Sequence, residues 1–131
     1  MIRAAYLDSS AVVKLVIAEP ESAALRRYVR SRRPLVSSAL ARTEVLRALL
    51  SFGDGALARG RRVLRTIELL RINDRVFEAA GALLPAEIRS LDAIHLATAQ
   101  QLGDDLGVVV TYDVRMADAA AKLGLNTQAP A

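Results

Sequence analysis

A short, largely apolar run over residues 2–7 ends at Asp8 and predicts a buried first strand. Ser9 and Ser10 then supply N-cap candidates for a helix carrying Ala11, Val12, Val13, Leu15, Val16 and Ile17. Glu19-Pro20-Glu21 closes that helix and opens another, which runs to about Arg32 before Arg33-Pro34 stops it. Leu35-Val36-Ser37 predicts a second strand, and the apolar spacing from Ser38 to about Phe52 predicts a helix. Gly53-Asp54-Gly55 is a break, residues 57–70 resume a helical pattern, and residues 70–72 predict a third strand. Asn73-Asp74 caps a helix reaching Leu84, and a further helix covers residues 93–102 with Ser90 as its N-cap. Val108 to Thr111 is the clearest strand of the chain. A last helix carries Met116, Ala119 and Leu123, with Gly124 as its C′ residue and a short strand from Leu125. Strands alternating with helices predict a parallel α/β sheet covered on both faces: a three-layer α/β/α domain with a short sheet, spanning 1–131 as one unit.

Composition narrows the chemistry. With 131 residues and 53% hydrophobic side chains the chain can bury a core without disulfides. It has no cysteine, which excludes a thiolate zinc site, an iron–sulfur cluster and a cysteine nucleophile. A single histidine, His95, excludes a two-histidine metal site within the chain. No apolar run is long enough to span a membrane, and the early carboxylate at Asp8 does not fit a signal peptide, so the expectation is a cytoplasmic protein. The formal net charge of +4, carried by sixteen arginines and only Lys14 and Lys122, permits a polyanionic partner.

Chemistry in an open α/β sheet gathers beyond the carboxyl ends of the strands. Asp8 follows the first strand there and Asp113 follows the fourth. Asp92 lies in the first turn of a helix, and Glu44 lies inside the helix after the second strand. Each has an ordinary explanation taken alone. Asp8 and Asp113 suit helix caps, Asp92 suits a helix dipole, and Glu44 can pair with Arg47 one turn on.

The words around these acids change the balance. Leu7-Asp8-Ser9-Ser10-Ala11 with Lys14-Leu15 and Glu19, Ala41-Arg42-Thr43-Glu44-Val45, Leu91-Asp92-Ala93-Ile94-His95-Leu96-Ala97-Thr98-Ala99 and Val110-Thr111-Tyr112-Asp113-Val114-Arg115-Met116 stand in this order along the chain. Together they resemble the PIN-domain ribonucleases, and among these the VapC toxins of VapBC toxin–antitoxin pairs, from residue 6 to about residue 124. The resemblance implies a PIN-like fold and a metal-dependent endoribonuclease with the acidic quartet Asp8, Glu44, Asp92 and Asp113. Asp8, Asp92 and Asp113 would hold Mg²⁺ or Mn²⁺, hard cations that prefer carboxylate oxygen, with Glu44 as a ligand or a water-orienting base. It also implies an RNA substrate, a small cognate antitoxin and a homodimer, with the helices rich in Ala, Leu and Val (residues 39–50 and 57–70) supplying either the dimer contact or the antitoxin groove.

Other signals carry less. His95 sits three residues after Asp92, and a packed core histidine is the simpler reading. Asp118, five residues past Asp113, is expected to point away from it. Gly55 to Gly60 has phosphate-loop glycine spacing, but Arg61-Arg62 stands where Lys-Ser/Thr belongs and no strand precedes it. Arg115, at the mouth of the supposed site, is a candidate for substrate phosphate or a salt bridge. Ser9, Ser10 and Thr111 border the acids and can orient ligands or water, or serve as plain caps. The competing reading is a non-catalytic PIN-like module that binds RNA or protein. A haloacid-dehalogenase phosphatase fails because Ser10 stands where its second aspartate belongs.

Overall fold

The computed structural model describes residues 3–131, and its centre is a sheet of five parallel strands. These are β1 (Ala4–Leu7), β2 (Leu35–Ser38), β3 (Glu68–Leu70), β4 (Leu106–Val110) and β5 (Thr127–Gln128), in the spatial order β3-β2-β1-β4-β5. Around them lie α1 (Ser9–Val16), α2 (Ser22–Arg30), α3 (Leu40–Leu49), α4 (Asp54–Arg65), α5 (Asp74–Gly81), α6 (Ser90–Gln100) and α7 (Val114–Lys122). From β1 the chain builds outward through β2 and β3, then returns to lay β4 on the other side of β1. That reversal opens a crevice at the carboxyl ends of β1 and β4.

Side chains along the central strands alternate between two cores, as a sheet covered on both faces requires. Ala5 and Leu7 of β1, with Val108 and Val110 of β4, face the larger core, which holds Val12, Leu25, Val45, Leu49 and Leu64 from α1 to α4. Tyr6, Val36 and Val109 face the opposite way with Ala99 of α6. Leu96, Met116, Ala119 and Ala120 form an adjoining cluster between α6 and α7. Leu7, Leu25, Leu49 and Leu96 are wholly buried, and each contributes about 1.5–3 kcal/mol of hydrophobic stabilisation.

The structure moves several boundaries. The predicted first strand is seen from Ala4, its beginning at Ile2 lying outside the described residues. Asp8, not Ser9 or Ser10, caps α1, accepting from the Ala11 amide. The predicted helix over 57–70 ends at Arg65, where Ile67 turns into the core and residues 68–70 pair with β2 as a parallel strand. The third strand therefore begins at Glu68 and ends at Leu70, earlier than the sequence pattern places it. Gly53, at φ 91°, makes the break between α3 and α4, whereas Gly55 and Gly60 lie inside α4 and form no phosphate loop. Gly60 is buried close to Leu49 of α3. Asn73 caps α5 and Asp74 is its first residue; α5 stops at Gly81, short of the expected Leu84. Ser90 is likewise inside α6 rather than capping it. At the end of α7, Gly124 at φ 76° and paired bonds from Gly124 to Ala121 and from Leu125 to Ala120 form a Schellman cap.

Candidate active site

Two hydroxyl residues stitch the end of β1 to the segment after β4. Ser10 Oγ donates to Asp8 Oδ1 at 2.6 Å and accepts the Tyr112 amide at 3.0 Å. Thr111 Oγ1 donates to Asp8 Oδ2 at 2.5 Å and accepts the Asp113 amide at 3.1 Å. Asp8 is thereby fixed at the switch point with both carboxylate oxygens engaged, and it is buried. Burial pushes its carboxyl above the usual carboxylate range, against the hydrogen bonds from Ser10, Thr111 and Ala11, which favour the charged form.

Asp113 is the N-cap of α7, its Oδ1 accepting from the Arg115 amide at 2.9 Å. Asp92 lies in the first turn of α6, half-buried. Its carboxyl is also raised, first by burial and then by the charges of Asp113 and Asp8, with Arg89 and His95 opposing. Three carboxylates from three elements thus share one field at the crevice. Capping and clustering coincide in Asp8 and Asp113, because a helix start beyond a strand end is also where this fold gathers its acids.

Glu44 has a different neighbourhood. It does not pair with Arg47; its Oε1 accepts from Ser9 Oγ at 2.5 Å and lies 2.6 Å from His95 Nε2. On the far side of the imidazole, Nδ1 lies 2.7 Å from the Tyr6 hydroxyl. An ionised carboxylate only accepts, so the Nε2 proton belongs to the Glu44 bond and the Tyr6 hydroxyl fixes the other edge of the ring. Burial alone would raise the Glu44 carboxyl, but the bonds from His95 and Ser9, with the His95 charge, outweigh it and hold the group below its ordinary 4.5. Burial raises the Tyr6 phenol, which stays protonated. His95 is buried, as a packed histidine should be, yet both ring nitrogens serve a chain that ends at Glu44. Sequence reasoning missed this link. The only available signal was the position of His95 one turn after Asp92, and nothing in that spacing reveals Tyr6 or Glu44 as partners.

The donor set is all carboxylate, suited to a hard divalent cation, and the mutual repulsion of Asp92, Asp113 and Asp8 is what such a cation would relieve. Among the described residues, no three His, Cys, Asp or Glu side chains are grouped so as to hold a metal ion as they stand. The fit is therefore one of chemistry and charge. Arg115 is exposed at the site's edge and makes no salt bridge within 4.0 Å among the described residues. Asp118, expected to point away from Asp113, lines a neighbouring cleft with Asp92 and Arg115.

The PIN domain family matches residues 5–122. Ribonuclease VapC46 of Mycobacterium tuberculosis is 63% identical over 127 residues, covering 97% of this chain and 98% of that protein. Ribonuclease VapC47 of the same species is 36% identical, covering 95% and 96%. The fold recurs in a toxin–antitoxin complex from Klebsiella pneumoniae, with a TM-score of 0.75, 22% identity and coverage of 97% and 98%. It recurs again in Mycobacterium tuberculosis VapC20, described as a sarcin–ricin loop cleaving toxin, with a TM-score of 0.71, 17% identity and coverage of 88% and 94%. With a family match over residues 5–122 and full-length likeness to named ribonucleases, this chain belongs to the PIN domain family and, within it, to the VapC group.

Proposed function

We propose that this protein is a divalent-metal-dependent endoribonuclease that hydrolyses single-stranded RNA as the toxin of a toxin–antitoxin pair. The observation that carries the reading is the shared field of Asp8, Asp92 and Asp113 at the end of β1 and β4, where burial and like charge raise Asp92. Asp8, Asp92 and Asp113 are the residues that would hold Mg²⁺ or Mn²⁺. Such an ion, when bound, polarises the phosphate and lowers the pKa of coordinated water. Thr111 and Ser10 hold Asp8 in one orientation, and the helix caps hold Asp113. Glu44 takes both of its hydrogen bonds on Oε1, which leaves Oε2 to accept from the attacking water. Held below its usual range, Glu44 orients water rather than retaining a proton.

Named ribonucleases among the relatives and a toxin–antitoxin complex among the structural neighbours support the RNA substrate and the antitoxin partner. Leu50 and Phe52, both more than half exposed where α3 meets α4, give an apolar patch for a homodimer contact or for the antitoxin. Among the described residues no helix is long and apolar enough to cross a membrane, and we place the protein in the cytoplasm on that reading. The test is cleavage of a single-stranded RNA in chelator and after addition of Mg²⁺ or Mn²⁺, with Asp92→Asn alongside. Activity that vanishes in chelator, returns with the ion and is lost in Asp92→Asn is expected. Full activity in chelator overturns the mechanism, and RNA binding without cleavage by the metal-loaded parent makes the chain a binding module.

A further inference from the structure

A cleft of about 440 Å³ opens directly beside Asp92, between the segment leading into α6 and the outer face of α7. Three cations line it: Arg89 just before α6, and Arg115 and Lys122 two turns apart on α7. All three are exposed, and none has a carboxylate within 4.0 Å among the described residues. Ile88 and Ala119 supply an apolar wall between these charges. Asp118, on α7 between Arg115 and Lys122, and Glu87, just before Arg89, add two carboxylates to the lining beside Asp92, and none of the three pairs with a cation of the cleft within 4.0 Å among the described residues. Cations free of ion pairs, an apolar wall and carboxylate acceptors within one cleft match the three parts of a nucleotide: phosphate, base face and base edge.

Resting on the ribonuclease reading, we infer that this cleft is a subsite for a nucleotide next to the scissile phosphate. Arg89, Arg115 and Lys122 take the flanking phosphates, and the base lies against Ile88 and Ala119. The Asp118 carboxylate accepts from an exocyclic amino group, so cytosine, adenine and guanine, which each carry one, are favoured over uracil, which has none. Asp92 joins the cleft to the acid cluster, so a strand bound here enters the reaction site without a gap.

The experiment measures binding of short fluorescent single-stranded RNAs in chelator, where cleavage does not enter the readout, across a range of salt concentrations. Arg89→Ala and Lys122→Ala are each expected to weaken binding about five- to tenfold and to reduce the salt slope by about 1. Arg61→Ala, an exposed arginine on α4 in a separate groove, should stay within about twofold. Asp118→Asn should narrow the preference for cytidine- and adenosine-rich over uridine-rich RNA. An equal loss at Arg61, an unchanged salt slope in both cleft variants, or a base preference untouched by Asp118→Asn overturns the subsite. If the parent cuts RNA while the cleft variants bind as it does, the subsite fails and the ribonuclease reading stands. If the parent binds through the cleft but does not cut, the ribonuclease reading fails alone; a parent that neither binds nor cuts RNA overturns both.

Discussion

Tyr6, His95 and Glu44 form a hydrogen-bonded chain whose worth is measurable apart from catalysis. In His95→Leu both ring nitrogens vanish. Glu44 keeps Ser9 and is partly open to water, its side chain 23% exposed, so that end is largely resupplied. The Tyr6 hydroxyl, on a residue 1% exposed, has no water to turn to, and only Ser37, Thr98 and the Ser38 backbone stand near it. Stranding a buried donor costs about 1–3 kcal/mol, and because the unpartnered Ser37 Oγ can take up the hydroxyl the expected loss lies at the lower end, about 1 kcal/mol. Tyr6→Phe strands Nδ1 of His95 instead and should cost a similar amount. Removing both partners leaves nothing stranded between them, so Tyr6→Phe/His95→Leu should be less damaging than the two singles added together. A coupling of about 1–2 kcal/mol is expected within the usual span for contacting pairs. Urea unfolding of the four proteins, extrapolated linearly, closes the cycle. Cleavage kinetics add a second axis: His95→Leu frees the Glu44 carboxylate to rotate, so kcat should fall by about 10- to 100-fold with KM little changed. Additive stabilities to within about 0.5 kcal/mol would refute the chain as a unit. A fully active His95→Leu would refute its hold on Glu44.

Asp92 and Glu44 should respond to pH with opposite signs. Asp92 is raised above its ordinary 3.8, so its favourable contribution is present below that value and lost as pH rises through the folded value; metal-free Asp92→Asn should melt higher than the parent at neutral pH, with the gap closing in acid. Glu44 is held below 4.5, so its contribution is present above that value and lost as pH falls through the folded one; Glu44→Gln should melt lower at neutral pH and converge with the parent in acid. Thermal melts across pH check both, and a common sign for the two variants is the failing result. Thr111→Val removes the donor to Asp8 Oδ2 and the acceptor for the Asp113 amide, and should cut RNA cleavage by about 10- to 100-fold while raising the Mg²⁺ concentration needed for half activity. Gly60→Ala gains about 1 kcal/mol in helix propensity, yet its Cβ would stand 2.4 Å from Leu49 Cδ1 in a wholly buried contact. Overpacking of about 1–3 kcal/mol should cancel or exceed that gain, and a chemical denaturation midpoint clearly above the parent's would show that α3 and α4 can spread.

Periodicity alone determined that strands alternate with helices here, because an apolar run bounded by turn residues has few other ways to bury itself. It located Asp8 and Asp113 beyond strand ends and Gly124 past a helix end, since these are properties of adjacent residues. It misjudged the end of α4, where burial of Ile67 and pairing of residues 68–70 with β2 outweigh the helical pattern of the residues around them. The spatial order β3-β2-β1-β4-β5 is written in no local segment, and it is this order that places β4 beside β1 and so brings Thr111 to Asp8 across 103 positions of sequence. The same holds for His95, whose bonds to Tyr6 and Glu44 span 89 and 51 positions. A histidine on an apolar helix looks the same in sequence whether its nitrogens meet solvent, backbone or a carboxylate. Helix caps and strand ends depend on neighbours along the chain and are legible there; hydrogen-bond partners and shared fields depend on distances that only the packed sheet creates.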